Sequence, residues 1–151
     1  MSEKMLSDDA MPQVDTQLCF GLYSTALAIN KLYRKRLGPL GITYPQYLVL
    51  MVLWQQDQLT VNGIGDCLYL DSATLTPLLK RMEALDLVTR IRSSSDERQV
   101  IISLTPSGNA LRTEAAALSN AVLTAADCSV AEAKALNGQL TRLRLKLLQG
   151  I

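Results

Sequence analysis

The segment 71–104 constrains the fold of this chain more than any other, because it joins a one-sided helix to two alternating strands. Its helical part carries an apolar stripe at i, i+3, i+4 and i+7 spacing, formed by Leu75, Leu78, Leu79 and Met82. The opposite face and its flanks carry small, hydroxyl-bearing or cationic residues, namely Ala73, Thr74, Thr76, Pro77, Lys80 and Arg81. Such a helix can pack its stripe on a core and present short donors and cations to a DNA major groove.

Two strands are predicted directly after this helix. Apolar residues alternate with polar ones through 88–92 and again through 100–104, and the loop 93–98 between them contains no apolar residue. A helix followed by such a hairpin predicts a winged helix-turn-helix. For the helix alone, an ordinary solvated surface is an equally good interpretation. The three arginines of the hairpin make DNA binding the better one, namely Arg90, Arg92 and Arg98.

Composition excludes several classes of function. The 151 residues include no histidine, which excludes histidine triads, histidine general bases and histidine-ligated metals. The three cysteines lack CxxC spacing, so neither a metal nor a cofactor is expected. Lys+Arg number 15 against 14 Asp+Glu, so a DNA-binding surface must be local. Neither a membrane-length apolar run nor a leader is recognisable, so we expect a cytoplasmic protein.

The chain is expected to consist of an arm and one domain. Residues 1–14 show no periodicity and predict a flexible arm, while 15–151 predict a single mainly α domain. Within it, the winged-helix DNA-binding region spans 43–104. The apolar helices on either side, 15–37 and 105–151, are interpreted as dimerisation arms. Packing of these helices against the body of their own chain is the alternative.

Helix starts are predicted from capping residues. The first helix is expected to begin at Asp15 or Thr16 and to end near Leu37, where glycines and a proline follow. The recognition helix is capped by Asp71 or Ser72. Four further helices are expected to begin at cap residues, namely Thr43, Thr60, Thr105 and Ser129.

Cys19 lies near the start of the first helix, where unpaired amides favour a thiolate. Tyr23 lies one turn further on, and Tyr33, Tyr44 and Tyr47 follow; all four are phenols that can donate hydrogen bonds to a thiolate. Cys19 and Tyr33 share a helix face, but fourteen residues separate them by about 21 Å. They can meet only if two first helices cross antiparallel in a dimer. The alternative is that Cys19 is a small core hydrophobe.

The other two cysteines receive different interpretations. Cys67 lies three residues after Ile64 and next to Leu68, so the three are expected to share the inward face of a helix. This spacing predicts a buried structural thiol. Cys128 directly precedes the Ser129 cap, at a junction of two helices where a side chain can be reached. It could form a disulfide with an oxidised Cys19, or it could be an incidental buried thiol.

Four segments resemble the OhrR group, the organic-hydroperoxide-sensing repressors of the MarR family. They are QLCF at 17–20, ITYPQY at 42–47, YLDSATLTPLLKR at 69–81 and DER at 96–98. The resemblance covers about 15–105 and implies a winged-helix homodimer on double-stranded operator DNA.

The resemblance also implies roles for individual residues. Cys19 matches the peroxidatic cysteine, and Tyr33 and Tyr44 match the tyrosines that reach it from the partner subunit. Arg98 matches the arginine that enters the minor groove, and Cys128 resembles the second cysteine that some relatives contribute from the partner.

These observations predict a non-enzymatic repressor whose inducer is an organic hydroperoxide. Base edges are expected to meet Ser72, Thr74 and Thr76, while phosphates meet the cations Lys80, Arg90 and Arg92. Arg81 is a further expected DNA-binding residue. One alternative is a MarR-type repressor released by a small aromatic ligand in the dimer interface. A second is a thiol peroxidase, which would require neither a recognition helix nor a wing.

Overall fold

The computed structural model describes residues 11–151, which form six α-helices, two 3-10 helices and three short strands. The 3-10 helices are Val14–Thr16 and Gly38–Leu40. In chain order the other elements are α1 Leu18–Leu37, α2 Tyr44–Gln55, β1 Leu59–Thr60, α3 Val61–Leu68, α4 Ser72–Ala84, β2 Val88–Arg92, β3 Val100–Leu104, α5 Pro106–Ala125 and α6 Val130–Gln149. Most of the predicted arm, residues 1–10, lies outside the described residues.

The predicted helix starts are confirmed at five caps. At α2 the capping box is complete, because the Thr43 N–H donates to Gln46 Oε1 at 2.9 Å and the Gln46 N–H donates to Thr43 Oγ1 at 3.4 Å. The other four cap residues each accept from a first-turn amide, namely Thr60, Asp71, Thr105 and Ser129.

The predicted cap of the first helix is wrong. Gln17 occupies the N-cap position of α1 and makes no side-chain capping bond, while Asp15 and Thr16 belong to the preceding 3-10 helix. The Thr16 hydroxyl donates backwards to the Gln13 carbonyl at 3.3 Å. The helix cap therefore lies one to two residues later than expected.

The sheet contains one strand that the sequence pattern did not reveal. Its order is β1-β3-β2, and both pairings are antiparallel. The β2–β3 hairpin is the predicted wing, closed by the Ser93 N–H donating to the Gln99 carbonyl at 2.8 Å. The extra strand β1 has two residues, too few to show alternation, and it pairs Leu59 with Ile102.

The core lies between the helix-turn-helix pair, α2 and the sheet. The stripe of α4 is buried as predicted: Leu75, Leu79 and Met82 are 0% exposed. They join a cluster drawn from α1, α2, α3 and β3, which includes Leu37, Leu50, Leu53, Ile64 and Ile102. The outer face of α4 is thereby held toward solvent.

The turn between α3 and α4 is tight. Tyr69 ends α3 in the left-handed region, with φ 59°. The Leu70 N–H donates to the Gly65 carbonyl at 3.0 Å, and a Cβ on Gly65 would lie 2.4 Å from the Leu70 oxygen. Only glycine fits this close backbone approach, which fixes how the recognition helix leaves α3.

The two terminal helices expose apolar surface. α1 buries only Leu37, and α6 has no buried residue. Their exposed apolar side chains include Leu18, Phe20, Leu22, Leu27, Ile29, Leu136, Leu145, Leu147 and Leu148. Taken singly, no helix within residues 11–151 has the length and apolar composition to cross a membrane. The segments Leu18–Leu40 and Tyr44–Gln55 meet that test only together, as a pair bent by 72°.

Candidate redox site and nucleic-acid interface

Cys19 is the second residue of α1, and its side chain is exposed. With Gln17, Phe20 and Tyr23 it lines an open recess of ≈ 260 Å³. Because no side chain caps α1, no capping group competes with the thiol for the first-turn amides. The alternative that Cys19 is buried in the core of its own chain is thus wrong. A small molecule can reach the thiol.

Three of the predicted tyrosines, Tyr33, Tyr44 and Tyr47, form an aromatic cluster near the other end of α1. The ring centroids of Tyr33 and Tyr44 lie 4.3 Å apart with the rings stacked, and Tyr47 lies 5.8 Å from Tyr33. Trp54 packs edge-on against Tyr47, and its indole N–H donates to the Gly108 carbonyl at 3.1 Å. The cluster fixes the positions of the Tyr33 and Tyr44 rings on the body of the domain.

Burial raises the pKa of these phenols further above neutral pH. Desolvation, with smaller contributions from Tyr44 and Tyr47, raises the pKa of Tyr33 from 10.0 to about 12. Desolvation and the neighbouring Tyr47 raise the pKa of Tyr44 as well. At neutral pH both hydroxyls therefore remain donors, as a thiolate partner requires.

One chain does not bring the thiol and these donors together. Cys19 lies in the first turn of α1, and Tyr33 lies fourteen residues later, about 21 Å along the helix axis. Tyr23 lies one turn from Cys19 on the same helix and is 63% exposed. A single copy thus carries the two halves of the candidate site at opposite ends of one helix.

Cys128 lies in the turn between α5 and α6. The preceding Asp127 has φ 49°, and the Cys128 N–H donates to the Leu123 carbonyl at 3.0 Å. The half-buried thiol donates to the Ser129 carbonyl at 3.5 Å. A recess of ≈ 510 Å³ opens beside it, lined in part by Asn120 and Glu132. The thiol is thus accessible from outside the chain.

The prediction that Cys67 is buried is wrong, because its side chain is exposed. The inward face of α3 is centred between Ile64 and Gly65, both buried. At roughly 100° per residue, Cys67 projects to one side of that face. Its spacing from Ile64 alone did not reveal this.

The outer face of α4 presents the residues predicted to meet base edges. Ser72 and Thr74 are exposed, and Thr76 is half-buried. Lys80 and Arg81, further along the helix, are exposed. The helix start is fixed by Asp71 Oδ1, which accepts from the Thr74 N–H at 2.7 Å, and this bond lowers the pKa of the Asp71 carboxyl.

The three hairpin arginines have different surroundings. Arg98, at the wing tip, has a 93% exposed side chain and a 3.4 Å contact with Asp96. Arg92 donates to the Glu97 carbonyl at 3.2 Å. Arg90 is only 20% exposed and lies 3.8 Å from Glu83, which also accepts its backbone N–H at 3.1 Å. Arg98 is therefore the freest of the three to contact DNA.

A cleft of ≈ 350 Å³ separates α4 from the wing. Ser72, Thr76, Arg90 and Arg98 line it together with residues that sequence reasoning missed, including Asn62 and Gln99. Among residues 11–151 no cluster of cysteine and carboxylate side chains could hold a metal ion.

The fold and these surfaces define a winged helix-turn-helix protein with an accessible thiol. A family model described as transcriptional regulator SarA/Rot matches residues 31–114. The chain is 50% identical to the organic hydroperoxide resistance transcriptional regulator of Bacillus subtilis, over 74% of this chain and 76% of that protein. It therefore belongs to the MarR family of winged-helix transcriptional regulators, as its four resembling segments predicted.

Solved structures agree with this membership. Reduced AbfR bound to DNA matches with a TM-score of 0.71 and 40% identity, covering 89% of this chain and 95% of that one. The disulfide form of AbfR matches with a TM-score of 0.60 and 40% identity, covering 86% and 91%. AbfR is a protein of Staphylococcus epidermidis. The predicted winged helix-turn-helix is confirmed.

Proposed function

We propose that this chain is a homodimeric repressor that binds double-stranded operator DNA and leaves it when an organic hydroperoxide oxidises Cys19. One observation carries the proposal: an exposed thiol and two stacked, protonated tyrosines lie at opposite ends of one helix. Two such helices crossing antiparallel would complete two identical sites. The name of the Bacillus subtilis relative supports the inducer class.

The apolar surface of the terminal helices supports the dimer. Leucines of α6 that are about half exposed in one copy, such as Leu136 and Leu145, would be covered by a second copy. The family acts on DNA, so the protein would work in the cytoplasm.

The redox chemistry needs only the hydroperoxide and two thiols. The Cys19 thiolate attacks the outer peroxide oxygen, the O–O bond breaks, and the departing alkoxide takes a proton to become an alcohol. Cys19 is left as a sulfenic acid. The Cys128 thiol of the partner subunit then attacks the Cys19 sulfur, forming a disulfide and releasing water.

The relatives favour the disulfide as the state that releases DNA. AbfR has been solved reduced on DNA, overoxidised on DNA, and in a disulfide form. An oxidised thiol and bound DNA are thus compatible in that protein. In this chain the movement of Cys128 toward Cys19, rather than a changed charge at Cys19, would misplace the two recognition helices.

For DNA contact, Ser72, Thr74 and Thr76 would meet base edges in the major groove. Phosphates would meet Lys80, Arg81 and Arg92, with Arg90 contributing less because Glu83 already faces it. Arg98 would enter the minor groove from the wing tip.

The test uses a duplex selected by the reduced protein from a random-sequence pool, with cumene hydroperoxide as oxidant. We expect the wild type to lose affinity as a disulfide-linked dimer appears on a non-reducing gel. Cys19→Ser should bind equally well and ignore the oxidant, while Cys128→Ser should form no such dimer. Cys67→Ser, also an exposed thiol, is the matched control and should behave like the wild type. Release by peroxide from Cys19→Ser would contradict the sensor assignment.

A specific cavity favours a second candidate function, release by a small aromatic ligand. A cavity of ≈ 330 Å³ opens beside Tyr44, lined also by Arg34, Ile42 and Pro45. Its apolar lining and single guanidinium suit an aromatic acid. Salicylate that releases the duplex from Cys19→Ser would favour this function. Turnover of cumene hydroperoxide with dithiothreitol beyond one equivalent per thiol would instead indicate a peroxidase.

A further inference from the structure

A contact joins α6 to the turn of the helix-turn-helix within one chain. The guanidinium carbon of Arg144 lies 4.4 Å from the centre of the Tyr69 ring. Tyr69 ends α3, and Asp71, two residues later, caps α4. The last helix of the chain thus touches the turn that sets the direction of the recognition helix.

The surroundings of Arg144 make this contact specific. Arg144 is half-buried, and its Nε has no hydrogen-bond partner. The negative face of the Tyr69 ring therefore supplies the attraction for this guanidinium. Arg142, two residues earlier on the same helix, is exposed.

The backbone at Tyr69 is constrained, so a displacement of its ring is transmitted to the following residues. Its φ of 59° is unusual for a bulky residue, and the next residue is held against Gly65 by the 3.0 Å hydrogen bond and the close approach described above. A push on Tyr69 is thus not absorbed by slack in the turn. It reaches Asp71 and the first turn of α4.

Within one chain, the core does not anchor the rest of α6. No α6 residue belongs to the buried core of residues 11–151. Ser129 caps the helix through the Glu132 N–H at 3.1 Å, and Cys128 directly precedes that cap. Val130 and Arg144 are separated by about 21 Å of helix. Cys128 and Arg144 therefore lie near opposite ends of α6.

We propose that Arg144 is a positioning residue that transmits movement of Cys128, through α6 and Tyr69, to the recognition helix of the same chain. The inference rests on the proposed function, because the disulfide with Cys19 supplies the movement. The disulfide would thus act in two ways. It would change the spacing of the two recognition helices between subunits, and it would also displace each recognition helix within its own subunit. Without the Arg144–Tyr69 contact, the disulfide forms but its effect on α4 is weakened.

The test measures the dissociation constant for the selected duplex before and after cumene hydroperoxide, together with the disulfide on a non-reducing gel. We expect Arg144→Ala and Tyr69→Ala to form the disulfide fully, while the ratio of oxidised to reduced dissociation constants falls at least tenfold below the wild-type ratio. Tyr69→Phe, which keeps the ring, and Arg142→Ala, which removes an equal charge, should retain the wild-type ratio. The double variant should fall no further than either single one.

Several outcomes would overturn the inference. Arg144→Ala with a complete disulfide and an unchanged ratio would do so, as would an equal fall in Arg142→Ala. If Arg144→Ala does not fold, an unchanged ratio in Tyr69→Ala would overturn it, and a fall there with rescue by Tyr69→Phe would support it. A wild type that keeps its affinity after oxidation would instead contradict the proposed function, and this inference with it.

Discussion

Tyr33 and Tyr44 determine the chemistry of the proposed sensor at the scale of single residues. Their half-buried hydroxyls stay protonated far above neutral pH, because desolvation raises the pKa of both. They can therefore hold a thiolate by donation without neutralising it as a cation would. Such a thiolate remains nucleophilic toward a peroxide oxygen.

The raised pKa of Tyr33 predicts an alkaline loss of stability. This phenol ionises at pH 10.0 in the unfolded chain and at about pH 12 in the folded chain. The free energy of unfolding should therefore decrease as the pH rises from 10.0 to about 12. We expect the tyrosinate absorbance of the native protein to end in a late step near pH 12 that Tyr33→Phe removes. Tyr23→Phe, which lies outside the cluster, should keep that step. Its persistence in Tyr33→Phe would contradict the assignment.

The positions of residues that follow from helix geometry could be predicted from the sequence. The position of Cys19 near a helix start and the separation of Cys19 from Tyr33 followed from helix geometry. The exposure of Cys67 did not, because its distance from Ile64 fits either side of a short helix. The pairing of Arg90 with Glu83 was also hidden, since it joins a strand to a helix across a turn.

At the scale of elements, side-chain caps and apolar stripes decided what could be predicted. Of the six α-helices in residues 11–151, five begin at a cap residue whose side chain accepts a hydrogen bond from its own first turn, and those starts were predicted. The start of α1 was misplaced because Gln17 makes no capping bond. Strand β1 was missed because its two residues are defined by pairing with β3 rather than by any local pattern.

Gly65 makes the turn of the helix-turn-helix sensitive to a single methyl group. In Gly65→Ala the added Cβ would lie 2.4 Å from a backbone oxygen, so we expect a loss of about 1–3 kcal/mol in unfolding free energy and weaker DNA binding. In Gly63→Ala, on the same helix, the nearest atom to the added Cβ is the Thr60 side-chain oxygen at 3.2 Å, and no backbone atom lies among its close contacts. It should cost clearly less in a denaturant titration. Equal stability of the two variants would contradict this account of the turn.

We expect the wing to contribute to DNA binding through Arg98. Its ion pair with Asp96 is exposed and weak, so the guanidinium is free for DNA. Arg98→Ala should raise the dissociation constant for the selected duplex and lower the slope of log affinity against log salt by ~0.9. Arg112→Ala, an exposed arginine on α5, is the control and should alter neither. Unchanged affinity in Arg98→Ala would remove the wing from the interface.

At the scale of the whole molecule, the apolar outer faces of α1 and α6 predict an obligate pair of subunits. Leu136→Glu, on α6, should give monomers with a lower melting temperature, whereas Leu85→Glu, at the end of α4, should stay dimeric. Both leucines are about half exposed, so the pair separates the interface from a general effect of an added charge. The measurement is mass by light scattering over a dilution series, and the wild-type melting temperature should rise with concentration. A Leu136→Glu dimer would contradict the proposed interface.

The separation of Cys19 from Tyr33 along α1, and from Tyr44, which stacks on Tyr33, has a consequence for inheritance. If each sensor takes its thiol from one subunit and its phenols from the other, the two halves of one site can be encoded by two different alleles. A Cys19→Ser allele and a Tyr33→Phe/Tyr44→Phe allele would each impair sensing alone. In a cell that expresses both, every mixed pair would contain one site with all defects and one with none. A purified mixed pair would then respond to peroxide through its intact site, although each parent homodimer is impaired.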